Sequence, residues 1–301
     1  MIPLDEIRAA RSRLGGSIVR TPLVRIDGTD VWLKLESLQP IGSFKLRGAL
    51  NAMRAQAAAD VLTASAGNMA QGVAWAAREL GVQATVVAPE TAPRAKLDAV
   101  ERLGGRLVLV PHEVWWQTML DRRYEGIDAH FVHPVEDELV MAGNGTIGLE
   151  LVEDLDAFDT VVVPWGGGGL TTGIASAVKA LRPDVRVVTA EPETAAPLAA
   201  AFRAGAPTAI DYEPSFVDGA GGRALLPTMW ERARELVDEA VAVPLRDVED
   251  AVRTLATRAR VVAEGAGALA LAAARDRPGR IVCIVSGGNI DADVYARILA
   301  G

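Results

Sequence analysis

The sequence predicts an α/β fold in which mostly parallel sheets are flanked by helices. Three observations lead there. Short β-branched runs alternate with longer helical patterns along the whole chain. Several of those runs end in glycine-rich turns that open a helix, as at VVVPWGGGGL, 161–170. The chain has 301 residues and 50% hydrophobic content, ample for a buried core and long enough for one large or two ordinary domains.

In chain order, VWLKLE (31–36) reads as a strand, and so does DVLTAS (60–65). MAQGVAWAAREL then places Met69, Val73, Ala76 and Leu80 on one helical face. ATVVAP reads as a strand and PRAKLDAVERLGG as a helix stopped by glycines. RLVLV, a tryptophan-containing segment and HFVHP repeat the alternation. TVVVP, the glycines, a helix and VRVVTAE form another β-α-β unit, and the end of the chain repeats it with RIVCIVSGGN. In such sheets ligands gather at the C-terminal ends of strands.

The net charge of −8 is spread without long runs of one sign, which argues against a nucleic-acid surface and for small-molecule chemistry. The start, MIPLDEIRAARSRL, mixes charges of both signs and does not read as a signal peptide. No apolar run approaches the ~20 residues of a membrane span, so a cytoplasmic enzyme without a membrane partner is expected. Cys283 is the single cysteine and excludes an internal disulfide framework; its strand-like surroundings predict a buried, inert thiol.

A strand feeding a glycine loop that opens a helix makes an anion site, because free N–H groups and the helix dipole both favour negative charge. The run Gly166, Gly167, Gly168, Gly169, Leu170 is therefore a candidate phosphate cradle. No GxxxxGK[ST] motif occurs, which disfavours a P-loop nucleotide. GNGTIG (143–148) matches a dinucleotide fingerprint by letters, but lies in a continuous helical stretch. A Rossmann dehydrogenase is thus the weaker alternative. HEVWW lacks the second histidine of a zinc motif, and no GxSxG elbow is present.

Lys45 in QPIGSFKLRGAL sits among apolar residues and glycines, where burial would depress its pKa and make it nucleophilic. SAGNMAQG (65–72) is a second strand–turn–helix junction and SGGN (286–289) a third glycine turn. One lysine, two anion-binding turns and a further polar turn point to pyridoxal phosphate with an amino-acid substrate.

GSFKLRGA, SAGNMAQG, AGNGTIGLE, GGGGL, AEPE, DG, EGAGALA and SGGN together resemble the fold-type II pyridoxal-phosphate enzymes, in the threonine/serine dehydratase (ammonia-lyase) and serine racemase group. The resemblance implies a tryptophan synthase β-like fold of two interwoven domains, residues 1–50 with 139–301 and an inserted 51–138. It implies that Lys45 forms the Schiff base and moves the Cα proton, that Phe44 packs near the ring, and that Asn68 meets the cofactor's phenolic oxygen. Ser65, Ala66, Gly67, Asn68 and Met69 would hold the substrate carboxylate, and Ser65 would also take part in catalysis. Gly166–Gly169 and Leu170 would hold the phosphate, Ser286 would face the pyridine nitrogen, and Gly219 and Glu264 would line the pocket.

The implied reaction is loss of water from a β-hydroxy amino acid such as L-threonine or L-serine. Dehydratases of 3-hydroxyaspartate or phenylserine type and cysteine synthase-like β-replacement are the alternatives. Ala66 stands where racemases carry a second serine, which disfavours racemisation. Met69 stands where relatives carry His or Phe, which would alter side-chain selectivity. Glu191 and Ala195 match two ligands of a divalent cation in relatives, but Pro197 replaces the third, so no metal is expected; otherwise Glu191 reads as a solvent-facing carboxylate. Trp115 and Trp116 are expected in core packing, with pocket lining as the alternative. A homodimer or homotetramer is the family habit, and no effector-binding C-terminal domain is expected.

Overall fold

The computed structural model describes residues 1–57 and 59–301. The first half carries α1 (Leu4–Leu14), β1 (Leu23–Arg25), β2 (Val31–Leu35), α2 (Lys45–Gln56), β3 (Asp60–Ala64), α3 (Asn68–Leu80), β4 (Gln83–Pro89), α4 (Arg94–Arg102), β5 (Arg106–Val110), α5 (His112–Asp121) and β6 (His130–Phe131). The second half carries α6 (Glu138–Asp154), β7 (Thr160–Pro164), α7 (Gly169–Leu181), β8 (Arg186–Pro192), α8 (Pro197–Ala204), α9 (Pro227–Leu236), β9 (Glu239–Val243), α10 (Leu245–Thr254), α11 (Gly265–Ala273), β10 (Ile281–Val285) and α12 (Ala292–Ala300).

The strands form two sheets. One has the order β1-β2-β10-β7-β8-β9, the other β5-β4-β3-β6. Every neighbouring pair is parallel except β1 with β2. The central strands β7 and β10 are buried along their whole length, as expected where helices cover both faces. The edge strand β1 and the strand β9 are additions to the sequence reading. Both are short or half-buried and lack the continuous apolar run that marks the central strands.

GNGTIG lies inside α6, as the sequence reading requires, and its glycines serve packing. A Cβ on Gly143 would lie 2.5 Å from the Arg47 carbonyl oxygen, and one on Gly148 2.8 Å from that of Ile174. Facing them, a Cβ on Gly173 would lie 2.2 Å from the Met141 carbonyl oxygen. The glycines let α6 approach α2 and α7 backbone to backbone, which removes the dinucleotide reading on physical grounds. Asp137 caps α6 by accepting from the amides of Leu139 and Val140, at 2.8 and 3.1 Å.

A buried ion cluster anchors the helix that begins with Lys45. Arg47 donates to both oxygens of Glu36 at 2.8 Å and to those of Glu150 at 2.7 and 3.0 Å, while Lys34 pairs with Glu150 at 2.6 Å. Arg47, Lys34 and Glu36 are fully buried, and burial on this scale is tolerable only because each charge is paired. Cys283 is buried and its thiol is pushed up by burial, in line with an inert role. Trp115 packs in part against Leu62, Val87 and Val110, whereas Trp116 is 42% exposed, so the expectation of core packing holds for only one of the pair.

Candidate active site

The glycine turns meet at the C-terminal ends of β3, β7 and β10, where the topology predicts a ligand site. The start of α2 is tied to the end of β10. Phe44 donates its amide to the Ser286 carbonyl at 3.1 Å, and Ser43 bridges Gly287. A single cleft is lined by Phe44, Lys45, Gly166, Gly167, Gly168, Gly169, Leu170, Gly219 and Ser286, all of them sequence candidates, together with Pro134, Val135 and Pro164.

Lys45 is chemically distinct among the four lysines of the chain. Lys34 is paired with Glu150, Lys96 with Asp218 and Lys179 with Asp238. Lys45 has no carboxylate partner among the described residues. Its Nζ donates to the Pro134 carbonyl at 3.3 Å and lies 5.2 Å from the centre of the Phe44 ring. Burial lowers its pKa to about 8, against a smaller opposing pull from Glu264.

In the glycine loop, Trp165 donates its amide to the Ala190 carbonyl and Thr172 to that of Gly168; between them the amides of Gly166, Gly167, Gly168, Gly169 and Leu170 meet no acceptor among the described residues. Side chains also pack closely against the α-carbons of the loop. A Cβ on Gly167 would lie 2.3 Å from Val135 Cγ2, and one on Gly168 2.4 Å from the Trp165 ring. The sequence reading assigns the glycines to close approach by a ligand. The structure adds that packing against the loop forbids side chains just as firmly.

Asn68 and Glu264 are not in the lining of this cleft but lie next to it: Glu264 Oε1 would be 3.6 Å from a Cβ on Gly219, and Asn68 Nδ2 3.3 Å from one on Gly287. Asn68 Nδ2 donates to Glu264 Oε1 at 2.8 Å. Burial, and next the charge of Asp218, raise the Glu264 pKa to about 7. Ser65 accepts from the amide of Gly67 at 3.3 Å and, with Ala66 and Gly67, forms the turn that opens α3. These three residues and Met69 do not line the cleft around Lys45. Met69 is buried with Val73 and Trp75, so its side chain belongs to the core and the selectivity expected of it is withdrawn. Gly72 brings α3 against the start of α2, since a Cβ there would lie 3.2 Å from the Lys45 carbonyl.

Glu191 does not face solvent. It is fully buried and accepts from the amides of Leu198 and Ala199, at 3.1 and 2.8 Å, capping α8. Burial pushes its pKa up to about 8, against those two hydrogen bonds. The Ala195 carbonyl accepts from the Gly222 amide at 3.2 Å. With Pro197 in the third position, this donor set does not fit a divalent cation, which requires several free oxygens.

The loop after β6 escapes the sequence reading. His133 is buried, and its Nδ1 accepts from the amides of Val135 and Glu136 at 3.1 and 2.8 Å. That places the Pro134 carbonyl at Lys45 and Val135 against Gly167 of the glycine loop. Burial, then Arg122, lowers the His133 pKa to about 4, which keeps Nδ1 free to accept. Its position at the C-terminal end of a predicted strand is the available signal. Beside the cleft, a 330 Å³ cavity is lined by Gln71, Lys96, Phe216, Asp218, Glu264 and Asn289, among others. Lys96 and Asp218 form an ion pair there.

Residues 15–287 match the PALP family, described as pyridoxal-phosphate dependent enzyme. The L-threonine ammonia-lyase of Thermotoga maritima is 37% identical over 99% of this chain and 78% of its own length. Among solved structures, maize serine racemase superposes with a TM-score of 0.88 at 32% identity, covering 99% of this chain and 96% of that one. The processed form of threonine deaminase isoform 2 from Solanum lycopersicum superposes with a TM-score of 0.86 at 31% identity, covering 99% of this chain and 92% of that one. No helix among the described residues is long and apolar enough to cross a membrane. The chain belongs to the pyridoxal-phosphate dependent enzyme family, on the fold-type II scaffold of the threonine dehydratases and serine racemases.

Proposed function

We propose that this chain removes water from a small β-hydroxy amino acid, L-threonine or L-serine, to give a 2-oxo acid and ammonia. The observation that carries the reading is the cleft itself, where the one lysine without a carboxylate partner among the described residues shares a lining with a loop whose backbone amides meet no acceptor there. Those amides fit a phosphate, and the Thr171 hydroxyl in the same helical turn is buried without a partner among the described residues. Bound here, pyridoxal phosphate would hold the substrate's amino group and supply an electron sink for its Cα.

In this reading Lys45 Nζ anchors the cofactor and carries the Cα proton, a task for which a pKa near 8 suits an amine. Gly166, Gly167, Gly168, Gly169 and Leu170 hold the phosphate. Phe44 would pack near the ring, Asn68 would donate to the phenolic oxygen, and Gly219 and Glu264 would line the pocket. Ser286, in the cleft lining, would offer the pyridine nitrogen a hydroxyl, which supplies no full charge. A neutral partner there would suit prompt loss of the β-substituent. Ser65, Ala66, Gly67 and the Asn68 and Met69 amides take the carboxylate, with Ser65 as the hydroxyl nearest the chemistry. Ala66 bears no hydroxyl that could deliver a proton to the opposite face, as racemisation requires. Loss of water leaves an enamine that tautomerises to an imine and hydrolyses to the 2-oxo acid.

Residues 51–138 would form the lobe that closes on substrate and 1–50 with 139–301 the cofactor-binding unit, in a homodimer or homotetramer. The test is 2-oxo acid release by the cofactor-loaded protein from a panel of L- and D-β-hydroxy amino acids. Release from L-threonine or L-serine is expected. Release only from 3-hydroxyaspartate or phenylserine would move the substrate class, and no release from any member would overturn the reaction.

A further inference from the structure

Asn68 belongs to a hydrogen-bonded chain of three polar side chains drawn from distant parts of the sequence. Asn289 Nδ2 donates to Asn68 Oδ1 at 2.7 Å, and Asn68 Nδ2 donates to Glu264 Oε1 at 2.8 Å. Asn289 itself is pinned, because its Nδ2 also donates to the Ile41 carbonyl at 2.9 Å. Its other amide atom packs at Gly42, where a Cβ would lie 2.6 Å from Oδ1.

The two ends of this chain of bonds leave a single assignment. A carbonyl oxygen can only accept, so the atom of Asn289 facing Ile41 is the nitrogen. That nitrogen requires an acceptor in Asn68, which fixes Asn68 Oδ1. Asn68 Nδ2 then meets Glu264, a group that accepts when ionised. Neither amide can turn over without placing like groups together. One N–H of Asn68 Nδ2 is used by Glu264, and the other has no partner among the described residues.

We propose that Asn289, with Glu264, is a positioning residue that locks the Asn68 amide so that its remaining N–H is presented to the cofactor's phenolic oxygen. This rests on the reading of the cleft as a pyridoxal-phosphate site. Asn289 touches no reacting atom; it acts through Asn68. A donor on the phenolic oxygen favours the form of the lysine-bound cofactor that absorbs in the visible over the near-ultraviolet form. The amide orientation therefore has a spectroscopic signature apart from turnover.

The experiment loads the wild-type protein, Asn289→Ala, Asn289→Asp and Glu264→Gln with pyridoxal phosphate, and reads the cofactor dissociation constant and the visible to near-ultraviolet absorbance ratio. Asn289→Asp keeps the shape of the side chain but cannot donate to Asn68, so it separates polarity from packing. Loss of one oriented hydrogen bond is expected to weaken the cofactor by about threefold to tenfold and lower the ratio in both Asn289 variants. Glu264→Gln keeps an acceptor oxygen and is expected to change less than either. Wild-type ratio and affinity in both Asn289 variants would overturn the proposal, whatever their thermal stability. Absence of any visible band in the wild-type protein would instead overturn the reading of the cleft, and this inference with it.

Discussion

Gly168 is the position where the glycine loop is most constrained, and replacing it by alanine has a calculable cost. Its φ is +94°, a conformation that L side chains rarely adopt. A Cβ there would also lie 2.4 and 2.6 Å from two carbons of Trp165 and 2.9 Å from Met229 Cε. Trp165 is fully buried and cannot swing aside. Left-handed backbone costs a non-glycine residue roughly 1–2 kcal/mol, and overpacking a filled site adds about 1–3 kcal/mol. The total of about 2–5 kcal/mol divides between lower stability of the unloaded protein and displaced loop amides. If the amides take all of it, cofactor affinity falls between about 30-fold and several thousand-fold. Gly166→Ala is the internal control, because a Cβ there meets nothing nearer than the Gly219 oxygen at 3.4 Å and φ is not positive. Urea unfolding and cofactor titration of both variants measure the two parts. The reasoning is refuted if Gly168→Ala matches the wild type in both assays, or if Gly166→Ala lowers stability by more.

Further predictions concern groups around the site. Arg47→Met leaves Glu36 and Glu150 short of a partner and should cost about 3–5 kcal/mol by urea unfolding. Burial pushes Glu36 up, but Arg47, Thr21 and Lys34 together hold its pKa below the ordinary 4.5, so its contribution is present above that value and lost as pH falls. Without Arg47 burial prevails and the carboxyl protonates in mild acid, so the loss should be larger at about pH 8 than at about pH 5; equal losses would count against this. His133→Ala leaves two part-buried amides without their acceptor, at about 1 kcal/mol each, and should weaken cofactor binding by loosening Pro134 and Val135. A cofactor affinity unchanged by that substitution would separate the loop from the site. Cys283 should resist thiol reagents in the native protein and react once urea unfolds it.

The alternation of strands and helices is legible because buried parallel strands are continuous apolar runs; β7 reads TVVVP and β10 IVCIV. Strand β9, with only one buried residue in five, carries no such run. The residues around Lys45 are legible because backbone chemistry writes them, through glycines after strands and a lysine at the first turn of a helix. What escapes is set by tertiary partners. HFVHP gives no hint that His133 accepts two amides and places the carbonyl that meets Lys45. Glu191 looks like any strand-end carboxylate until α8 folds back onto it. Asn289 reads only as part of a glycine turn, since its partner Asn68 lies 221 positions away.

The central claim is that Lys45 holds the cofactor. Borohydride reduction of the loaded protein, digestion and peptide mass analysis test it directly, because the chain offers only four lysines. The account predicts the reduced cofactor on the peptide containing Lys45, and its loss in Lys45→Ala. Label on Lys34, Lys96 or Lys179, or none on any lysine, would contradict it.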